Sequence, residues 1–432
     1  MFGFIKKQST ARIVAFGFAL AILIGSVLLI LPCSVKDGID LEYIDALYTS
    51  TSAVCVTGLI VVDVGDTFTP LGQFFVGMLI QIGGLGVTAV GAGVMLAIGR
   101  KVNFKGRSLI RETMNLNTGR GLVRFVHSIF ITTVVFELFG AVLSFTVFIQ
   151  DHDPARAAGI SLFHSVAAFN NSGFDILGNF QGLTAYKDNV MLNIVTCILI
   201  FFGGIGFLVI REILEKRFRW RRFSMHTKAV ISVSLLLITA GMILLKITED
   251  ITWLGAFFHS VSARTAGFST YQLGEFTNAG LFLIMMLMFI GASPGSTGGG
   301  IKTSTVFVLM LGIKASATNK MEEAFRYSVP RDAFHKAATI TLIALGVVFA
   351  GTYVMVMMEP GIDFIDAFFE ITSAFGTVGL STGITPELGA GSKLLSIIIM
   401  YIGRLGPLTI ATLWYFTKGE RTSYPEGNIS IG

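Results

Sequence analysis

Charged side chains are scarce in this chain: Asp, Glu, Lys and Arg make up 14% of its 432 residues, against about a quarter in soluble domains, while 53% are hydrophobic. An ordinary soluble globule is excluded. Cysteine is nearly absent, and Cys33, Cys55 and Cys197 are too scattered for a metal-ligand spacing or a disulfide framework. No polar block is left over for a separate soluble domain.

What is present is a series of apolar runs long enough to cross a bilayer, among them Ile13 to Leu31, Phe125 to Phe148, Ala229 to Leu245 with its flanks, and Ala337 to Met358. The first follows Lys6, Lys7 and Arg12, as a signal peptide would. It is too long for a signal core and lacks a small-residue cleavage motif, so it reads as a membrane helix. The net charge of +5 does not imply a nucleic-acid partner, because its placement is that of topology signals. Basic residues gather at the N-terminus, in Arg100 to Arg124, in Arg211 to Lys228 and in Lys314 to Lys336; the alternate connections are acidic, from Asp37 to Asp66 and around Asp151, Glu249 and Glu359. By the positive-inside rule both termini are cytoplasmic and the number of crossings is even.

Residues 46–59, 161–174, 256–268 and 367–380 align on Gly58, Gly173, Gly267 and Gly379. Each is a short amphipathic stretch rich in Ser, Thr and aromatics, too short to span and too apolar for a surface loop. A second echo follows inside the next apolar run, at 81–86, 201–206, 289–294 and 401–406. The expected fold is therefore an all-α polytopic membrane protein of eight transmembrane helices. Four pseudo-symmetric units of outer helix, re-entrant pore helix with loop, and inner helix surround a central pore. The units run 1–105, 106–222, 223–325 and 326–432, the third with a broken inner helix and the last with a cytoplasmic tail.

Irregular backbone at membrane depth survives only if it is buried in protein or lines water. Four such loops around an axis would present rings of carbonyl oxygens able to replace the hydration shell of a large monovalent cation. The residues expected there are Val54, Cys55, Val56, Thr57 and Gly58; Phe169, Asn170, Asn171, Ser172 and Gly173; Ala263, Arg264, Thr265, Ala266 and Gly267; and Phe375, Gly376, Thr377, Val378 and Gly379. Glycine permits the positive φ that keeps successive carbonyls aimed inward. Pore helices starting near Asp45, Arg156, Ile251 and Asp363 would add the partial negative charge of their C-terminal ends. Arg264 would be costly on such an axis, so it is expected to point away and brace the loop, with Glu370 as a possible partner. His164 and His259 are expected to be hydrogen-bonding struts.

The run from Ala279 to Lys314 has 36 residues, about 54 Å as a helix, against a hydrocarbon core of ~30 Å. It must break. Its middle, Gly291, Ala292, Ser293, Pro294, Gly295, Ser296, Thr297, Gly298, Gly299 and Gly300, followed by Lys302, is flexible and polar in composition and would obstruct the pore as a gate. A phosphate-binding loop is a poor alternative, since Ile301 separates glycine from lysine and no strand precedes it. Arg404 sits in the matching place of the fourth inner helix, where it could reach this loop's carbonyls as a latch. Inner helices without His or Asp pairs speak against an intramembrane enzyme. A secondary active cation transporter with a broken-helix site remains the alternative.

The four glycine-centred loops, the stretch Ser293 to Thr303 and Arg404 within 401–406 resemble the Ktr/Trk/HKT superfamily of potassium transporters, most closely the bacterial Ktr membrane subunit of the KtrB type. The resemblance spans roughly residues 12 to 418. It implies potassium uptake across the bacterial plasma membrane, with K+ held by filter backbone carbonyls, a gating loop at 291–302, and Arg404 in contact with it. It further implies a homodimer, a cytoplasmic RCK-type ring (KtrA or KtrC type) that binds ATP or ADP, and stimulation by sodium. No covalently bound cofactor is implied. The basic loops and the tail from Lys418 to Gly432 are the surfaces expected to serve docking and dimerisation.

Overall fold

The computed structural model describes residues 10–97, 122–330 and 332–412. The N-terminal lysines, most of the basic stretch from Arg100, and the tail from Lys418 lie outside them.

Among the described residues, four helices are each long and apolar enough to cross a membrane: α1 (Thr10–Ile30), α5 (Leu122–Phe148), α9 (Met225–Thr248) and α13 (Ala333–Met358). Each is followed by a shorter, largely buried helix: α2 (Tyr43–Cys55), α6 (Pro154–Phe169), α10 (Trp253–Ser262) and α14 (Phe364–Gly376). These begin within two residues of the starts read from the sequence. Next come α3 (Pro70–Leu85), α7 (Val190–Ile205), α11 (Asn278–Phe289) and α15 (Ala390–Leu405). Three of these start on side-chain caps, with Thr69, Asn189 and Thr277 accepting from the amides of Gly72, Leu192 and Gly280. The chain continues as α4 (Val87–Ala97), α8 (Phe207–Lys216), α12 (Thr303–Thr318) and α16 (Pro407–Thr412). A two-stranded hairpin, β1 (Glu323–Ala324) and β2 (Tyr327–Ser328), precedes α13.

One three-way contact holds each long helix to the two that follow. Gly25 of α1 lies against Ser50 of α2 and Leu79 of α3; Gly140, Ser165 and Leu199 repeat it, as do Gly241, Ser260 and Leu287. The absent β-carbon lets the serine hydroxyl reach a carbonyl one turn back on the long helix, at Ile22, Glu137 and Ile238 (2.7, 2.6 and 2.8 Å). The fourth instance is dry: Gly351 meets Ile371 and Ile399, and Thr352 takes the free carbonyl of Val348 instead.

The last glycine of the inner-helix echo is a bend rather than an interior position. Gly86, Gly206 and Gly406 have φ of 84°, 92° and 87°, and α8 leaves α7 at 99°. Between α11 and α12 the break occupies residues 290–302, within the run predicted to break. Its composition suggests flexibility, yet the segment is pinned. Ile290 bridges to Ile301, and the amides of Ser293 and Thr297 donate to Gly204 O and Gly203 O (3.0 and 3.3 Å).

Candidate functional site: a ring of four glycines

The short helices α2, α6, α10 and α14 deliver their C-terminal ends to one place. Gly58, Gly173, Gly267 and Gly379 all have positive φ, at 92°, 68°, 77° and 96°. A β-carbon on Gly58 would come closer than 3.0 Å to Ser172 O, one on Gly173 to Ala266 O, one on Gly267 to Val378 O, and one on Gly379 to Thr57 O. The contacts close on themselves in the order 58, 173, 267, 379. All four predicted loops therefore meet in one ring, and glycine is needed there for close approach as well as for φ.

A second left-handed position, missed from the sequence, lies two residues before each glycine: Val56, Asn171, Thr265 and Thr377, with φ of 57°, 58°, 112° and 50°. For residues with a β-carbon this conformation costs about 1–2 kcal/mol each. Asparagine tolerates it well, and Asn171 was the available hint. At two of the four loops a hydrogen bond helps hold the strain: Ser52 Oγ and Ser373 Oγ accept from the amides of Gly58 and Gly379 (3.0 and 3.1 Å).

Outward of the ring lies an open cavity of about 570 Å³ that all four glycines line. Asp175, Glu275 and Glu387 also line it, and none of its described lining residues is basic. Asp175 lies in the connection between α6 and α7. Burial, together with nearby Asp63 and Asp66, pushes its carboxyl up to about 7, against the hydrogen bond it accepts from Leu177 N (2.9 Å).

Inward of the ring, residues 291–302 lie directly against the pore loops. Gly299 N donates to Thr377 Oγ1 (2.9 Å), Thr297 Oγ1 donates to Phe169 O (3.3 Å), and Gly298 faces the Thr265 hydroxyl. Lys302 Nζ folds back on Gly298 O and Gly299 O (2.8 and 3.3 Å). Arg404 reaches the loop: its guanidinium donates to Thr297 O and to Gly83 O, with Gly84 O at 3.4 Å. Ala292, Ser293, Gly298, Gly299 and Gly300 are buried, while Pro294, Gly295 and Ser296 are partly exposed.

Arg264 does turn away from the ring, but its partner is not Glu370. Its guanidinium bonds Ser234 Oγ and Ser234 O of α9 (3.1 and 3.4 Å), whereas Glu370 accepts from Thr385 Oγ1 (2.6 Å). The side chain runs outward to the long helix behind its own loop. His164 and His259 meet hydroxyls, those of Thr196 (2.9 Å) and Thr270 (3.4 Å). Asn171 and Thr265 are joined side chain to side chain at 2.9 Å. Asn170 donates to Gln81 Oε1 and to Glu137 Oε1 (2.8 and 3.1 Å), which places the buried Glu137 beside the second loop.

A family model described as TrkH, cation transport protein, matches residues 18–249 and 231–418. The chain is 36% identical to the Ktr system potassium uptake protein B of Bacillus subtilis strain 168, over 98% of this chain and 96% of that protein. It is 37% identical to the potassium/sodium uptake protein NtpJ of Enterococcus hirae, over 99% of this chain and 98% of that one. The crystal structure of the potassium transporter TrkH from Vibrio parahaemolyticus superposes with a TM-score of 0.74. That match covers 94% of this chain and 86% of the other at 19% identity, and speaks for the fold alone.

Proposed function

The chain belongs to the TrkH family of cation transport proteins, and on that premise we propose that it takes potassium into the cell through the glycine ring. The closed mutual contact of Gly58, Gly173, Gly267 and Gly379 carries the reading. Carbonyls of Val54–Gly58, Phe169–Gly173, Ala263–Gly267 and Phe375–Gly379 stand in for the water lost by the ion. The carboxylates of the outer cavity raise the local concentration of cations before entry. Residues 291–302 are the gate and Arg404 its latch, a role supported by the hydrogen bonds from Arg404 to Thr297 O and from Gly299 N to Thr377.

In this proposal eight crossings arise from four units, 1–105, 106–222, 223–325 and 326–432, with both termini in the cytoplasm of a bacterium. The protein transports and does not catalyse. It works as a homodimer on a cytoplasmic RCK-type ring, and ATP or ADP acts on that partner. Sodium stimulates uptake, a reading supported by a relative named for potassium and sodium.

Secondary active transport is the second reading, favoured by Glu137 buried at the second loop. Potassium flux into liposomes holding the purified chain, measured with and without sodium and across proton gradients imposed by varying the internal pH at constant outer pH, separates the two. Downhill potassium flux independent of the proton gradient is expected. Strict proton coupling without conductance sinks the first reading.

A further inference from the structure

The connection from α8 to α9 carries a surface for which ion passage has no use. Leu214, Phe218 and Trp220 are 64%, 73% and 43% exposed, and Arg217, Arg219, Arg221 and Arg222 are exposed among them. The neighbouring acids are engaged elsewhere: Glu215 pairs with Arg211, and Glu212 takes Lys216, Ser224 and Thr227. Among the described residues, none of the four arginines has a carboxylate within salt-bridge distance.

Depth decides what this surface faces. The 24-residue apolar span α9 begins at Met225, so residues 214–222 end just before it, where hydrocarbon gives way to water. The amphipathic helix α8 turns off α7 at 99° and buries Phe207, Val209, Ile210 and Ile213 against the body, which leaves Leu214 outward. Trp220 is backed by Phe223 and Phe325, with ring centroids at 6.0 and 6.3 Å. Aromatic rings belong at headgroup level, and guanidinium groups bind phosphate oxygens in pairs.

We propose that residues 214–222 are a binding surface for anionic phospholipid headgroups. The four arginines hold the phosphodiesters, while Leu214, Phe218 and Trp220 enter the boundary with the acyl chains. A soluble acidic protein would satisfy the arginines but would leave the apolar side chains at the wrong depth.

The test uses the full chain with Trp253→Phe and Trp414→Phe, which leaves Trp220 as the single reporter among three tryptophans. It is reconstituted in phosphatidylcholine vesicles containing equal fractions of brominated phosphatidylcholine or brominated phosphatidylglycerol. Quenching about twofold stronger by the anionic lipid is expected, falling to parity at high salt and after Arg217→Gln, Arg219→Gln, Arg221→Gln and Arg222→Gln together. Equal quenching by both lipids at low salt with the arginines intact overturns the proposal. So does emission untouched by either lipid, which would assign the surface to water or to a soluble partner. The salt titration needs no arginine variant, so a folding defect in the fourfold substitution leaves the test intact.

Discussion

At Gly379, conformation and space act together. Its φ of 96° disfavours any side chain, and a β-carbon would collide with Thr57 O of the adjacent loop. Gly379→Ser is expected to lower potassium flux at least about tenfold, equivalent to ~1.4 kcal/mol, and to change the ratio of potassium to sodium passed. Flux assays with each ion check it, and wild-type values for both would remove the residue from the pathway. Asp175 makes a second test. Its carboxyl is charged above about 7 and neutral below, so its pull on cations is lost as pH falls through that value. Uptake should decline between pH 8 and pH 6, and Asp175→Asn should flatten that profile at the low-pH level. The ring glycines stand out in the sequence because each recurs at one place in a repeated pattern. Val56, Thr265 and Thr377 do not, because β-branched residues are the last types that propensity would assign to left-handed backbone; at two of the loops a serine hydroxyl on the preceding short helix helps hold it. The partner of Arg264 was equally illegible, since nothing in the sequence distinguishes Ser234 from Ser232 two residues before it in the same apolar helix.

The long helices were readable because the bilayer sets how long an apolar run must be: all four cover the runs read from the sequence to within a few residues, and the four short buried helices start within two residues of their expected positions. The bends at Gly86, Gly206 and Gly406 were not, since glycine is ordinary in membrane helices and a bend depends on what packs beyond it. The break between α11 and α12 was forced by length, but its ordered state comes from partners on other elements, Gly203, Gly204, Phe169 and Thr377. Those contacts make the loop's removal informative. Deleting part of 291–300 is expected to raise flux severalfold. Arg404→Ala, which releases Thr297 O and Gly83 O, should raise it by a smaller factor. Liposome flux beside a thermal-melting control distinguishes a loosened gate from a damaged fold, and unchanged flux in both variants would refute the gate.

At the scale of the whole molecule, among the described residues one ion pair joins the beginning of the chain to its end. Lys393 of α15 reaches Asp45 of α2 at 2.6 Å, with side chains only 11% and 15% exposed. Breaking it leaves a mostly buried charge without its partner, at a cost of about 2 kcal/mol, between the values for exposed and fully buried pairs. Lys393→Met should therefore lower the melting temperature, and Lys393→Met with Asp45→Asn should recover part of the loss. Additive losses in that cycle would show that the pair contributes nothing as a pair.

This seam has a consequence for biogenesis. The loop of Gly379 that meets Gly58 is synthesised before α15, but Asp45 has no cation until Lys393 follows it, 348 residues later. A ribosome stalled ahead of residue 390 would hold a chain whose four loop glycines are all made but whose Asp45 still lacks its partner. The first short helix therefore waits for its buried counter-charge until the last tenth of synthesis.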